Sequence, residues 1–168
     1  AAQTVATDKH AILCGYGKTG QHLARFLETE KIGFMAIDLD PERVREAAAA
    51  GEPVAWGDCT RRENLQAAGI ARASVLVVTF ADLATTLHLV ERVHEMRPDL
   101  PIVARSREED DAERLFQAGV AEVVPEALVR FGEIARFYYP LALTSMLSMA
   151  LISCRRWRGS FMRVCASA

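Results

Sequence analysis

The chain has 168 residues, 51% hydrophobic and 25% charged, a length that supports one domain with a real core. With 20 Lys and Arg against 22 Asp and Glu, its net charge of −2 provides no basic footprint for nucleic acid. All the acids precede residue 141, whereas Arg155, Arg156, Arg158 and Arg163 leave the tail basic.

Residues 1–9 are short, mixed and polar, and read as a linker without a secretory signal. From His10 onward, short apolar runs alternate with helical patterns. The first run, His10–Cys14, predicts a strand, and Gly15-Tyr16-Gly17-Lys18-Thr19-Gly20 follows it directly. A helix is expected over Gln21–Glu30, then a strand over Gly33–Ile37 that ends at Asp38. Asp40-Pro41 is an N-cap followed by proline at the first helical position, opening a helix over Pro41–Ala50. Further strands are expected at Pro53–Trp56, Ser74–Thr79, Pro101–Ala104 and Ala121–Val124, with helices at Arg62–Ala68, Asp82–Met96 and Glu108–Ala118. Gly51, Gly69 and Gly119 mark helix ends. Most of the strands are continuously apolar, as parallel strands buried on both faces are. Repeated strand–helix units of this kind predict an α/β fold, a Rossmann-like doubly wound sheet of six parallel strands with helices on both faces. By analogy with the glycine motif, the strand order is 3-2-1-4-5-6.

After Pro125 a sixth helix runs to Tyr139, with Leu128, Phe131, Ile134, Ala135 and Tyr138 as an apolar stripe. The stripe either covers the sheet of its own subunit or forms a subunit interface. Residues 140–168 read as a helical and basic extension. The mostly apolar stretch over residues 137–153 is interrupted by Pro140, Thr144, Ser145 and Ser148 and falls short of the roughly 20 residues a spanning helix needs, so the chain as given is expected to be soluble. Cys14, Cys59, Cys154 and Cys165 show no C-x-x-C spacing and no histidine pair, which favours reduced thiols over a disulfide framework and supplies no metal set.

The glycine motif carries the chemistry. Alone it is weak, but here it lies between a strand and a helix, with Asp38 eighteen residues after Gly20. That is the dinucleotide-binding fingerprint. Gly15 permits a tight turn, Gly17 lets the backbone approach a pyrophosphate, and Gly20 lets the helix pack on the sheet. The helix N-terminus then offers free N–H groups to phosphates.

Together with Ala36-Ile37-Asp38-Leu39-Asp40-Pro41-Glu42, with Gly57-Asp58-Cys59-Thr60 followed by Leu65-Gln66-Ala67-Ala68-Gly69-Ile70, and with Ile102-Val103-Ala104-Arg105, the motif resembles the RCK (TrkA-N) domain. This is the cytosolic nucleotide-binding regulator of potassium channels and transporters. The closing Val123-Val124-Pro125-Glu126 resembles the Kef-type potassium/proton antiporters in particular. The resemblance spans residues 10–139 and implies a cytoplasmic location at the inner face of the membrane. It leaves open whether the chain is part of a longer transporter or a separate subunit. It implies a homodimer, with the sixth helix crossing to the partner, and a membrane antiporter or channel module as the further partner.

The implied ligand is NAD(H) or AMP, ADP or ATP. Asp38, with Leu39 beside it, would hold the adenine-side ribose, and its charge would repel a 2′-phosphate, favouring NAD(H) or an adenosine nucleotide over NADP(H). Asp58 and Cys59 would sit beside the adenine, and Tyr16, Lys18 and Thr19 would line the phosphates. Thr79 and Phe80 would face the crevice at the switch point of the sheet, and Arg105 would reach a phosphate or the second ribose; Glu126 is a weaker candidate. Plainer roles stand beside these: Asp58 as a helix cap or turn residue, Lys18 as a solvated lysine, Arg105 paired with Glu108 or Glu109, and Cys59 as a small packed side chain. Trp56 is expected to pack; His22, His88 and His94 are expected at surface or boundary positions. Glu108 to Asp111 form a charge cluster at a helix start.

The rival reading is an NAD-dependent oxidoreductase. Such an enzyme needs an acid or base against the nicotinamide, usually from a second domain or a loop. About 30 residues remain after the sixth helix ends at Tyr139, no Tyr-x-x-x-Lys is present, and strand ends four and five offer Thr79 and Arg105 rather than a His–carboxylate pair. The reading is therefore of a ligand-sensing domain, not an enzyme.

Overall fold

The computed structural model describes residues 10–125. In chain order the elements are β1 (Ala11–Cys14), α1 (Lys18–Thr29), β2 (Phe34–Asp38), α2 (Pro41–Ala49), β3 (Val54–Trp56), α3 (Arg62–Ala67), β4 (Val75–Val78), α4 (Leu83–Met96), β5 (Ile102–Ser106), α5 (Glu109–Gln117) and β6 (Glu122–Pro125). The six strands form one parallel sheet in the order β3-β2-β1-β4-β5-β6. This is the expected doubly wound order, and it puts the switch point between β1 and β4, at the carboxyl ends of the strands.

Burial on both faces explains the continuous apolar runs. All four residues of β1 are inaccessible to solvent, and β4 is buried throughout. Side chains alternate across the pleat. Ile12, Cys14, Leu76 and Val78 join the core capped by Leu65 of α3, Leu89 and Val93 of α4, and Leu115 of α5. Ala11, Leu13, Val75 and Val77 join the opposite core, with Leu23 and Leu27 of α1 and Ala47 of α2. α2 begins where the sequence predicts, with the Asp40 carboxylate accepting from the Glu42 and Arg43 amides and Pro41 in the first turn.

Three differences from the sequence reading bear on the site. α1 begins at Lys18, inside the glycine motif, so Lys18 and Thr19 are first-turn helix residues. β5 continues to Ser106 and carries Arg105 within it. Trp56 does not pack: it is 66% exposed, because β3 is an edge strand, and its indole N–H donates to the Leu39 carbonyl at 3.0 Å. His10, by contrast, is buried, with Nε2 2.7 Å from the Ala68 carbonyl oxygen. The expected linker, the sixth helix with Glu126 and its apolar stripe, and the basic tail lie outside the described residues. Among the described residues no helix is long and apolar enough to cross a membrane.

Candidate nucleotide-binding site

The carboxyl ends of β1, β2 and β4 open into a cleft of about 690 Å³, within the roughly 300–1,000 Å³ usual for small-molecule sites. Its floor begins with Gly15, whose φ of +99° is a left-handed conformation that glycine adopts freely. The Gly15 amide donates to the Ile37 carbonyl at 2.8 Å. Thr79, just past β4, holds the turn from the other side: its hydroxyl lies 3.0 Å from the Cys14 carbonyl and 2.8 Å from that of Gly15. Gly20 packs against the Gly15 peptide so closely that a Cβ there would overlap the Gly15 carbonyl oxygen.

α1 starts from Gly17 with no side-chain cap and no acid in its first turn. Among the described residues, the other helices, α2 to α5, each carry an acidic residue in the first turn or, in α4, an aspartate cap. The amides at the start of α1 therefore face the cleft uncompensated, where an anion would satisfy them and the helix dipole. A Cβ on Gly17 would meet no atom within 4 Å, so the backbone stands open to a ligand there. Lys18 is exposed on the cleft rim. Arg105 reaches across from β5, its Nη1 3.1 Å from the Thr19 hydroxyl and 3.2 Å from the Thr79 carbonyl.

Asp38 ends β2 with only 6% of its side chain exposed. Its Oδ2 accepts the Tyr16 amide, and its Oδ1 accepts the Asp40 amide at 2.8 Å. One side chain that the sequence reading missed completes the set: Arg43, from the first turn of α2, places Nη1 at 2.8 and 2.9 Å from the two Asp38 oxygens. Arg43 also pairs with Asp40 at 3.2 Å. The available signal was its place five residues beyond Asp38, just after the Asp40-Pro41 helix start, where the first turn folds back over the strand end.

Leu39, Asp58, Cys59 and Phe80 line the same cleft as the glycine loop, Asp38, Thr79 and Arg105. Asp58 is the turn residue rather than the cap of α3, which starts from Arg61. Its Oδ1 accepts the Thr60 amide at 2.8 Å and the Thr60 hydroxyl at 2.7 Å. Burial pushes the Asp58 carboxyl up, but those two hydrogen bonds, with Arg61 and His88 nearby, outweigh it and hold the group below its ordinary range. Cys59 is buried and free, and its thiol contacts Cys14. That contact first, then burial, raises the Cys14 pKa well above its ordinary value, so Cys14 stays a protonated, packed thiol.

Tyr16 is the predicted site residue that the fold turns away. Its ring is 3% exposed and packs in the core with Leu23 and Ala47, bordering a separate hollow with Gln21, Arg25 and Arg43. Only its backbone amide faces the site, through Asp38. Among the described residues there is no group of three or more His, Cys, Asp and Glu side chains placed to hold a metal ion.

A six-stranded parallel sheet with a glycine turn, an uncapped helix start and a strand-end aspartate defines a Rossmann-like nucleotide-binding domain. The TrkA-N domain model matches residues 11–126, and the chain belongs to that family. It is 38% identical over 120 residues to a putative K(+) efflux antiporter KefB of Alkalimonas amylolytica, covering 71% of this chain but 18% of that protein. The chain thus spans less than a fifth of the length of the curated relatives it matches. Among solved structures, the Kef CTD of Shewanella denitrificans in its AMP-bound form superposes with a TM-score of 0.62 at 25% identity, covering 85% of this chain and 98% of that one. The GsuK channel bound to NAD gives a TM-score of 0.62 at 26% identity, covering 84% of this chain and 23% of that one.

Proposed function

We propose that this chain is the cytosolic nucleotide-sensing domain of a potassium transporter or channel, taking NAD(H) or an adenosine nucleotide and performing no chemistry of its own. The observation that carries it is the uncapped α1 start facing the same cleft as Asp38 and Arg105. Phosphate would lie on the α1 amides, with Lys18 and Arg105 as cations, and the ribose would approach Asp38. The bound forms named for the Kef and GsuK relatives support this choice of ligand. Among the described residues the cleft lining includes no histidine, and its buried carboxylate, Asp38, is held by Arg43, which disfavours a proton-transfer role. Ligand binding would bias transport only by its differential affinity for two arrangements of the domain.

AMP, ADP or NAD(H) at a hundredfold excess over its dissociation constant should stabilise the chain by about 2.7 kcal/mol, read as a rise in melting temperature. No shift with any of them at millimolar concentration would remove the nucleotide-sensing function.

Assembly belongs to the same reading. The apolar stripe of Leu128, Phe131, Ile134 and Tyr138 suits a two-fold contact between copies, the commonest closed arrangement. Light scattering should give a dimer, and Phe131→Asp should split it while nucleotide still binds. A wild-type monomer at high micromolar concentration would return that helix to its own subunit.

A further inference from the structure

Asp38 is the group expected to read the ribose, yet its hydrogen-bonding capacity is already taken. An ionised carboxylate accepts about four hydrogen bonds. Oδ1 takes the Asp40 amide and Arg43 Nη1; Oδ2 takes the Tyr16 amide and the same Nη1. The two amides belong to the loop backbone and stay. Arg43 is the partner that can leave, since its side chain is 36% exposed while that of Asp38 is 6% exposed. A ribose hydroxyl can therefore donate to Asp38 only by displacing an Arg43 N–H.

The charge at this spot changes as well. A lone strand-end carboxylate repels a 2′-phosphate. Here a guanidinium lies on it at 2.8 Å and is shared with Asp40 at 3.2 Å, so the approaching group meets one net negative charge rather than two. Arg43 also borders the cleft itself. A guanidinium has five N–H donors in a planar fork suited to phosphate, and only some of those on Arg43 face Asp38 and Asp40.

We propose that Arg43 sets the cleft's choice at the ribose 2′ position: lying on Asp38, it offsets the charge that repels a 2′-phosphate and offers that phosphate its own N–H donors, so the cleft accepts 2′-hydroxyl and 2′-phosphorylated adenosine nucleotides alike. The inference rests on the nucleotide-binding reading above and departs from the preference for NAD(H) over NADP(H) that Asp38 alone would predict. A 2′-hydroxyl ligand moves Arg43 off one carboxylate oxygen; a 2′-phosphate ligand leaves the ion pair in place and uses the remaining N–H donors.

The test is calorimetric titration of the 168-residue chain with AMP and with adenosine 2′,5′-bisphosphate. Wild type should bind the two within about tenfold of each other. Arg43→Gln should hold or tighten AMP, for want of a competitor on Asp38, and should weaken the bisphosphate, widening the ratio at least tenfold. That is a change of about 1.4 kcal/mol in relative binding. Arg43→Lys keeps the charge without the fork and should restore part of the bisphosphate affinity, which a purely structural role for Arg43 would not do. Melting curves of the three proteins establish that each is folded. A ratio in Arg43→Gln within threefold of wild type overturns the proposal, as does a wild type that rejects the bisphosphate a hundredfold. Failure of wild type to bind AMP at all removes the nucleotide-binding reading itself, whereas AMP binding with an unmoved ratio removes only the role of Arg43.

Discussion

Gly20→Ala should unfold the chain at a lower temperature and abolish nucleotide binding, while Gly17→Ala should weaken binding at least tenfold and leave the fold nearly intact. The two glycines stand three residues apart, but their surroundings are opposite. A Cβ on Gly20 overlaps the Gly15 carbonyl oxygen, a backbone atom that cannot swing aside. Either α1 or the Gly15 turn must shift, and forced overpacking of this kind costs about 1–3 kcal/mol. In a domain of this size that lowers the melting temperature by several degrees. The Gly15 turn also positions the α1 amides, so the phosphate site is lost with the packing. A Cβ on Gly17 meets nothing within 4 Å, and Gly17 lines the cleft. Its stability cost is only that of alanine in place of glycine before a helix, under about 1 kcal/mol. AMP affinity should nevertheless fall at least tenfold, because the methyl stands where a phosphate meets the amides. Urea denaturation and AMP titration of both variants check this. Equal stability losses in the two would mean that the glycines share one packing role and that Gly17 does not face a ligand.

The other large effect is expected at Asp38. Asp38→Ala strands the Tyr16 and Asp40 amides at the mouth of the glycine turn, and the first of these bonds is buried. A buried donor left without a partner costs about 1–3 kcal/mol, so the total loss should be near 3 kcal/mol. The ion pair should be the smaller share, because Arg43 is partly exposed and such pairs contribute about 0–1 kcal/mol. Arg43→Ala alone should therefore be mild, and the cost of Asp38→Ala should persist in the Arg43→Ala background. A double-mutant cycle in urea measures both terms. If the cost of Asp38→Ala disappears once Arg43 is gone, the carboxylate serves the arginine rather than the loop amides.

These two positions show how much of the site was legible beforehand. Asp38 stands out in the sequence because a strand-end acid at that distance from a glycine turn is a pattern of local chain geometry. Its partners do not. Arg43 is one of two arginines on a charged helix, and only its place just after the Asp40-Pro41 helix start sets it apart. Only the way α2 folds back over β2 puts its guanidinium on the carboxylate. Arg105 is similar: its strand is evident from Ile102 to Ala104, whereas its contact with Thr19 spans 86 positions and exists only because β5 lies beyond β4 in the sheet.

The alternation of strands and helices follows from the amino-acid order because its causes are local. Strands buried on both faces need continuous apolar runs, a tight turn at φ +99° needs glycine, and a helix start takes Asp-Pro. Tertiary packing alone decided the direction of side chains at element ends. Tyr16 goes into the core, since an aromatic ring beside Leu23 and Ala47 gains burial that the cleft would not provide. Trp56 stays in solvent, since an edge strand has no neighbour to cover it, and the Leu39 carbonyl takes its N–H. Residue type states what a side chain can do, but only the sheet order and the helix angles determine what it meets.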